Sequence, residues 1–261
     1  MAILDTHAHY QDEAFNEDRD ELLSSFPSKG ICAVLNAATN MSSARETIAL
    51  SEKYPFCYAA VGLHPSDILP DVNQYSEDEI LSTFKHQYLN NSKVVAIGEI
   101  GLEYHYDDVP KELQRYWFEK QLELAVTLDA PVIVHDREAH EDTLRLLQKY
   151  KPKGVVHCFS GSVEMLKEVL KIGMSIGLGG AVTFKNARKP VEAAAFVPAD
   201  RLVLETDAPY MSPVPFRGTR CHSGMIQNTA EVIAAVRGVS VENLLEQTKI
   251  NAFELFPKLN S

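Results

Sequence analysis

The sequence predicts a TIM-like (β/α)8 barrel of parallel strands, with a metal site at the C-terminal ends of those strands. Three observations predict it. Eight short apolar runs recur along the chain, longer amphipathic segments alternate with them, and histidines and carboxylates stand where the runs end.

The runs fall at residues 3–6, 31–35, 58–62, 94–97, 132–134, 154–157, 174–178 and 202–204. Val94-Val95-Ala96-Ile97, Val132-Ile133-Val134 and Leu202-Val203-Leu204 are apolar without interruption. A strand buried on both faces reads this way, as in a parallel sheet covered by helices. Between the runs, Phe118, Leu122, Ala125 and Leu128 step by four, three and three residues and form one apolar stripe of a helix. Val163, Leu166 and Val169 do the same over a shorter stretch. A doubly wound open sheet would show similar alternation, so the choice between the two rests on the polar residues.

Those residues sit at strand ends. The first run leads into His7-Ala8-His9, the third into His64 and the fourth into Glu99. The fifth ends at His135, the sixth at His157, and the eighth at Glu205 and Asp207. In a β/α barrel such ends converge on one mouth, whereas an open sheet spreads them along an edge. Convergence of so many favours the barrel, as one domain over residues 1–261.

His7 and His9 alternate along a strand, so both imidazoles can reach one ion. Glu99 follows its strand within Gly98-Glu99-Ile100-Gly101, whose glycines allow an unusual backbone and close approach of a ligand, and its two oxygens suit it to bridge two ions. His135 and His157 follow buried strands at equivalent positions. Imidazoles and carboxylates together suit zinc or manganese and tolerate magnesium. One or two divalent ions are therefore expected on His7, His9, Glu99, His135, His157 and Asp207. Asp207, with Glu99, is the candidate catalytic residue, because a carboxylate beside an activated water can take its proton. His64, Arg137, Lys185, Glu205 and Arg217 are candidates for the substrate side, with Glu205 also placed to support a ligand histidine. His86, His105, His140 and His222 fall in helices or loops and read as structural or exposed. No nucleophile elbow, Walker loop or dinucleotide fingerprint occurs.

Composition narrows the class. Of 261 residues 45 % are hydrophobic, enough for a substantial core. No apolar run reaches the ~18 residues of a spanning helix. Asp5, His7 and His9 interrupt any leader-like start, which predicts a cytoplasmic protein with no membrane partner. Cys32, Cys57, Cys158 and Cys221 are widely spaced and read as free thiols. The net charge of −11 argues against a broad electrostatic grip on nucleic acid, yet leaves room for a narrow cleft where bound cations dominate. Nothing marks an obligate protein partner.

With these residues in place, the chain resembles the TatD-type deoxyribonuclease family of the amidohydrolase-like barrels. The resemblance is carried by Asp5-Thr6-His7-Ala8-His9, Gly62-Leu63-His64-Pro65 and Gly98-Glu99-Ile100-Gly101-Leu102-Glu103-Tyr104. It continues through Val134-His135-Asp136-Arg137, His157-Cys158-Phe159-Ser160-Gly161, Thr183-Phe184-Lys185-Asn186-Ala187 and Glu205-Thr206-Asp207-Ala208-Pro209-Tyr210. These segments span almost the whole chain in the family's order. The resemblance implies a mono- or dinuclear metal site on the same six residues and hydrolysis of DNA. Two departures stand out. Glu103 occupies a position where the family more often has Asp. Arg220-Cys221-His222-Ser223 replaces a common Arg-Asn-Glu-Pro, in a loop expected to border the substrate.

The leading expectation is phosphodiester hydrolysis, most readily at DNA ends or on short single strands bound at the barrel mouth. A metal-dependent esterase or amidohydrolase, such as an aminoacyl-tRNA deacylase, keeps the site and changes the bond. A non-catalytic binding protein on the same barrel would show a missing ligand, and none of the six is missing.

Overall fold

The computed structural model describes residues 2–260. Its centre is a barrel of eight strands: β1 (Ile3–Ala8), β2 (Ile31–Ala37), β3 (Cys57–Val61), β4 (Val94–Glu103), β5 (Val132–Arg137), β6 (Gly154–Val156), β7 (Ser175–Leu178) and β8 (Leu202–Leu204). Each pairs in parallel with the next, in chain order. All eight expected strands are present.

Helices α1 (Arg19–Ser24), α2 (Met41–Lys53), α3 (Ile68–Gln74), α4 (Glu77–Asn90), α5 (Lys111–Thr127), α6 (His140–Tyr150), α7 (Val163–Ile172), α8 (Arg188–Phe196), α9 (Ile226–Arg237) and α10 (Val241–Leu255) fill the connections. Short polar residues start several of them. Ser76 and Glu79 form a reciprocal cap on α4, Asn40 caps α2 with Ser43, and Ser162 and Ser240 cap α7 and α10. The stripe of Phe118, Leu122 and Ala125 is buried on α5, with Leu128 just past its end. No helix among the described residues is long and apolar enough to cross a membrane.

Strand residues alternate between two apolar layers. Ile3, Val34, Val132, Val134, Val156, Leu202 and Leu204 pack in the layer shared with the helices. Leu4, Ala33, Leu35, Val95, Ile133, Val155 and Val203 fill the barrel interior, closed at one end by Phe256 and Leu259. The two-residue period of a strand then fixes what lies above this filling. Counting on from Ile133 reaches His135, from Val155 reaches His157, and from Val203 reaches Glu205.

Closure between β8 and β1 is narrow. Ala8 bridges Ala208, the Asp207 amide donates to His7 O (2.9 Å) and the His9 amide to Ala208 O (2.7 Å). Asp5 completes the seam. Its buried carboxylate accepts from the amides of His7 (3.2 Å) and Thr206 (3.0 Å) and from the hydroxyls of Thr206 and Ser223 (both 2.7 Å).

Three strands run further than their apolar cores. β1 carries His7 and β5 carries His135 within the strand. Glu99, expected just after its strand, is instead part of β4, which shifts register between Ile97 and Ile100 and resumes with Ile100 opposite Val134 and Gly101 opposite His135. Pairing to β5, which single-strand patterning cannot see, carries the strand through the glycines.

Candidate metal centre

A cleft of about 700 Å³ opens at the C-terminal mouth of the barrel. On its floor, Glu99 lies 3 % exposed within reach of five imidazoles. Its oxygens divide them. Oε2 faces His7 Nε2 at 3.4 Å and His9 Nε2 at 3.5 Å, whereas Oε1 faces His135 Nδ1 and His157 Nε2 at 2.8 Å and His64 Nε2 at 3.6 Å. Asp207 Oδ1 joins the first side, 3.6 Å from His7 Nε2 and 3.4 Å from His9 Nε2. The six residues expected as ligands are thus brought together, with Glu99 between two groups of donors.

This donor set fits a divalent cation. His7 Nε2 and His9 Nε2 face each other at 3.0 Å, and His135 Nδ1 and His157 Nε2 at 3.2 Å, with His7 and His157 stacked at 4.0 Å between ring centroids. Buried imidazole nitrogens aimed at one another and at carboxylates are what a shared positive ion draws together. Three overlapping groups have ligand atoms within 4.8 Å of one another: His7, His9 and Asp207; His7, Glu99 and His157; His64, Glu99 and His135.

Tautomers separate ligand from donor. His9 Nδ1 lies 2.8 Å from Ala37 O, which can only accept, so Nδ1 carries the proton and Nε2 offers a lone pair to the site. At His64 the pattern is reversed. The Ser66 amide donates to Nδ1 at 3.2 Å, so in the neutral ring the proton sits on Nε2, which faces Glu99 and the cleft. Burial holds the His64 pKa down at about 3 against the opposing charge of Glu99, which keeps the ring neutral.

The carboxylates are held ionised. Burial would raise Glu99, but the charge of His157 and the hydrogen bond with His135 bring it well below the usual carboxylate range. Burial likewise opposes ionisation of Asp207, and the contacts with His9, His157 and His7 overcome it. His157 is driven the other way: burial would lower it, and Glu99 and Glu205 raise it well above an ordinary histidine.

Arg137 lines the cleft, 46 % exposed, with Nη1 3.9 Å from Glu103 Oε2. Glu205 does not line it. The side chain is buried behind His157, accepting from the Cys158 amide, with Oε1 3.7 Å from His157 Nδ1. Of its two expected places, substrate side and support of a ligand histidine, the structure sets it behind the His157 ring and outside the cleft lining. Lys185 and Arg217 are also outside the cleft lining. Both are exposed, and the Arg217 guanidinium sits 3.6 Å over the Phe184 ring. The loop Arg220-Cys221-His222-Ser223 does not border the cleft either. Arg220 pairs with Asp18, Cys221 and Ser223 are buried, and Ser223 Oγ donates to Asp5. Among the other histidines, His105 faces Glu138 and His140 faces Asp136, each at 2.8 Å.

Two residues were not singled out as part of the site. Glu103 Oε2 lies 3.2 Å from His135 Nε2, on the far side of the ring from Glu99. Its signal was available, since Glu99 and Glu103 share strand parity. Asp5 opens the first segment of the resemblance, but its role depends on Thr206 and Ser223, some two hundred residues away, which that segment does not show.

Comparison with known proteins agrees with this geometry. Residues 4–257 match the family model described as TatD related DNase. The chain is 36 % identical to the uncharacterized metal-dependent hydrolase YabD of Bacillus subtilis, covering 97 % of this chain and 98 % of that one. It is also 36 % identical to the 3′-5′ ssDNA/RNA exonuclease TatD of Erwinia billingiae, over 93 % and 94 %. The crystal structure of YjjV, a TatD homolog from Escherichia coli, superposes with a TM-score of 0.89 at 32 % identity, over 98 % of each chain.

Proposed function

The chain belongs to the TatD-related DNase family of metal-dependent hydrolases, and from that premise we propose that it removes nucleotides from the 3′ ends of single-stranded DNA or RNA. The observation that carries the reading is Glu99, a buried carboxylate whose two oxygens divide two sets of imidazoles at the floor of one open cleft. His7, His9 and Asp207 would hold an ion on the Oε2 side, and His135 and His157 a second on the Oε1 side. Zinc, manganese and magnesium all suit such donors. When bound, such ions supply Lewis acidity and neutralise charge on phosphoryl oxygens.

The chain's own groups do the rest. Asp207, whose side chain is 20 % exposed, accepts the proton of the attacking water. His64 Nε2–H donates to a phosphoryl oxygen, and the Arg137 guanidinium orients the phosphate as a planar fork. Glu103 and Glu205 hold the rings of His135 and His157. The four cysteines are free, which supports a reducing compartment, the cytoplasm, as the place of action. The whole chain acts as one barrel domain, since the relatives are covered end to end.

The protein stripped of metal and reloaded with each ion should cleave a labelled single-stranded oligonucleotide, and Glu99→Gln or Asp207→Asn should lower the rate by at least about a hundredfold. Cleavage of ester substrates alone, or full activity in either variant, would overturn the reading.

A further inference from the structure

The walls of the cleft are unlike its floor. Among the described residues that line it, Arg137 is the one lysine or arginine, while Asp12, Glu46 and Asp67 add carboxylates above the metal ligands. A rim of this charge gives little electrostatic hold on a sugar–phosphate backbone. It does present two exposed aromatic rings, Tyr106 and Tyr210, 50 % and 55 % exposed. Tyr106 follows β4 and Tyr210 follows β8. With strands ordered β1 to β8 around a closed barrel, β4 and β8 lie opposite each other, so the rings rise from opposing walls. Both are braced. The Tyr210 hydroxyl donates to Asp12 Oδ2 at 3.1 Å, and Tyr106 sits edge-on to His105 at 4.7 Å with the Arg137 guanidinium 5.2 Å from its centroid.

Large aromatic rings left in water beside a catalytic floor, yet held in place, are suited to stack on flat apolar surfaces at small entropic cost. Resting on the nuclease reading, we propose that Tyr106 and Tyr210 are specificity-determining residues that receive unpaired terminal bases by stacking, so that the enzyme selects single-stranded ends by base rather than by backbone charge. A base-paired end keeps its bases stacked inside the duplex and offers the rings no free face.

The test uses a short single strand carrying 2-aminopurine at its 3′ end, with uncleavable terminal linkages for binding and ordinary linkages for turnover. In the metal-loaded wild type, binding should quench the terminal fluorophore. Tyr106→Leu and Tyr210→Leu should each lose most of that quenching and raise KM at least about fivefold with little change in kcat, and Tyr106→Phe should restore both. Raising salt from 50 to 200 mM should weaken binding less than about tenfold, against the thousandfold or more of a protein that grips many phosphates. Leucine variants with wild-type KM and quenching would overturn the stacking while leaving the nuclease reading intact. A phenylalanine variant as impaired as leucine would overturn it too, because the hydroxyl and not the ring would be acting. Tyrosine-dependent quenching without cleavage would instead sink the nuclease reading and keep the stacking.

Discussion

A carboxylate sealed from water is costly unless positive charge or hydrogen bonds reach it, and Glu99 is supported from five directions. The same reasoning applies one layer further out. Glu205 is 1 % exposed, and its Oε2 and the Nδ1 of His157 have no hydrogen-bond partner. A carboxylate 3.7 Å from the outer nitrogen of a ligand ring orients that ring and raises its basicity. Glu205→Gln should therefore lower metal affinity about 10- to 100-fold, read by chelator competition, with thermal stability of the stripped protein little changed. Unchanged affinity would show that Glu205 only fills space. Gly177 offers a second handle, since a Cβ there would lie 2.2 Å from Glu205 Oε2, and Gly177→Ala should weaken the metal in the same assay by displacing the carboxylate. The positions expected as ligands were legible in the sequence, because each stands at or within three residues of the end of an apolar run. Lys185 and Arg217 were not, because a cation's reach depends on loop paths that carry no periodicity, and Arg217 spends its guanidinium on Phe184.

At the level of elements, the barrel depends on two weak places. The first is the β8–β1 seam, where Asp5 replaces missing ladder hydrogen bonds with four of its own. Burial pushes the Asp5 pKa up to about 7 in spite of those donors. Asp5→Ala would remove the acceptor shared by two buried amides and two buried hydroxyls and should cost about 2–5 kcal/mol in denaturant unfolding, whereas Asp5→Asn keeps an acceptor and should cost less. Equal losses in the two variants would refute a hydrogen-bonding role. The second is the β4–β5 pair. Gly101, at φ 150°, packs so closely that a Cβ would lie 2.0 Å from His135 O. Gly101→Ala should lose at least about 3 kcal/mol or fail to fold, because strand backbone cannot move aside as a side chain can. Retention of wild-type stability by circular dichroism melts would contradict that packing.

For the whole molecule, one consequence of gathering donors at the mouth is that bound metal and folding are coupled. An ion present at about a hundredfold over its dissociation constant adds about 2.7 kcal/mol to the folded state. For a chain of this size that is about 5–10 °C of Tm, so chelation should lower the melting temperature by that amount and readdition should restore it. Identical melting with and without chelator would argue against a metal held by the folded barrel. The overall charge of −11 works in the same direction, since an acidic molecule concentrates cations rather than polyanions around its cleft.

The eight strands, their order of appearance, the parallel barrel and the six donors at strand ends were determined by the sequence alone, because buried strands and two-residue alternation are local properties of a chain. Contacts between distant segments were decided only by the tertiary structure. It carried β4 through Glu99 by pairing Gly101 with His135, closed the barrel by setting Asp5 against Thr206 and Ser223, and turned Glu205 inward beneath His157. It also set His9 and His64 in opposite tautomers, through Ala37 O on one ring and the Ser66 amide on the other. None of these could be read from periodicity, because the partner that settles each one is supplied by the folded surroundings.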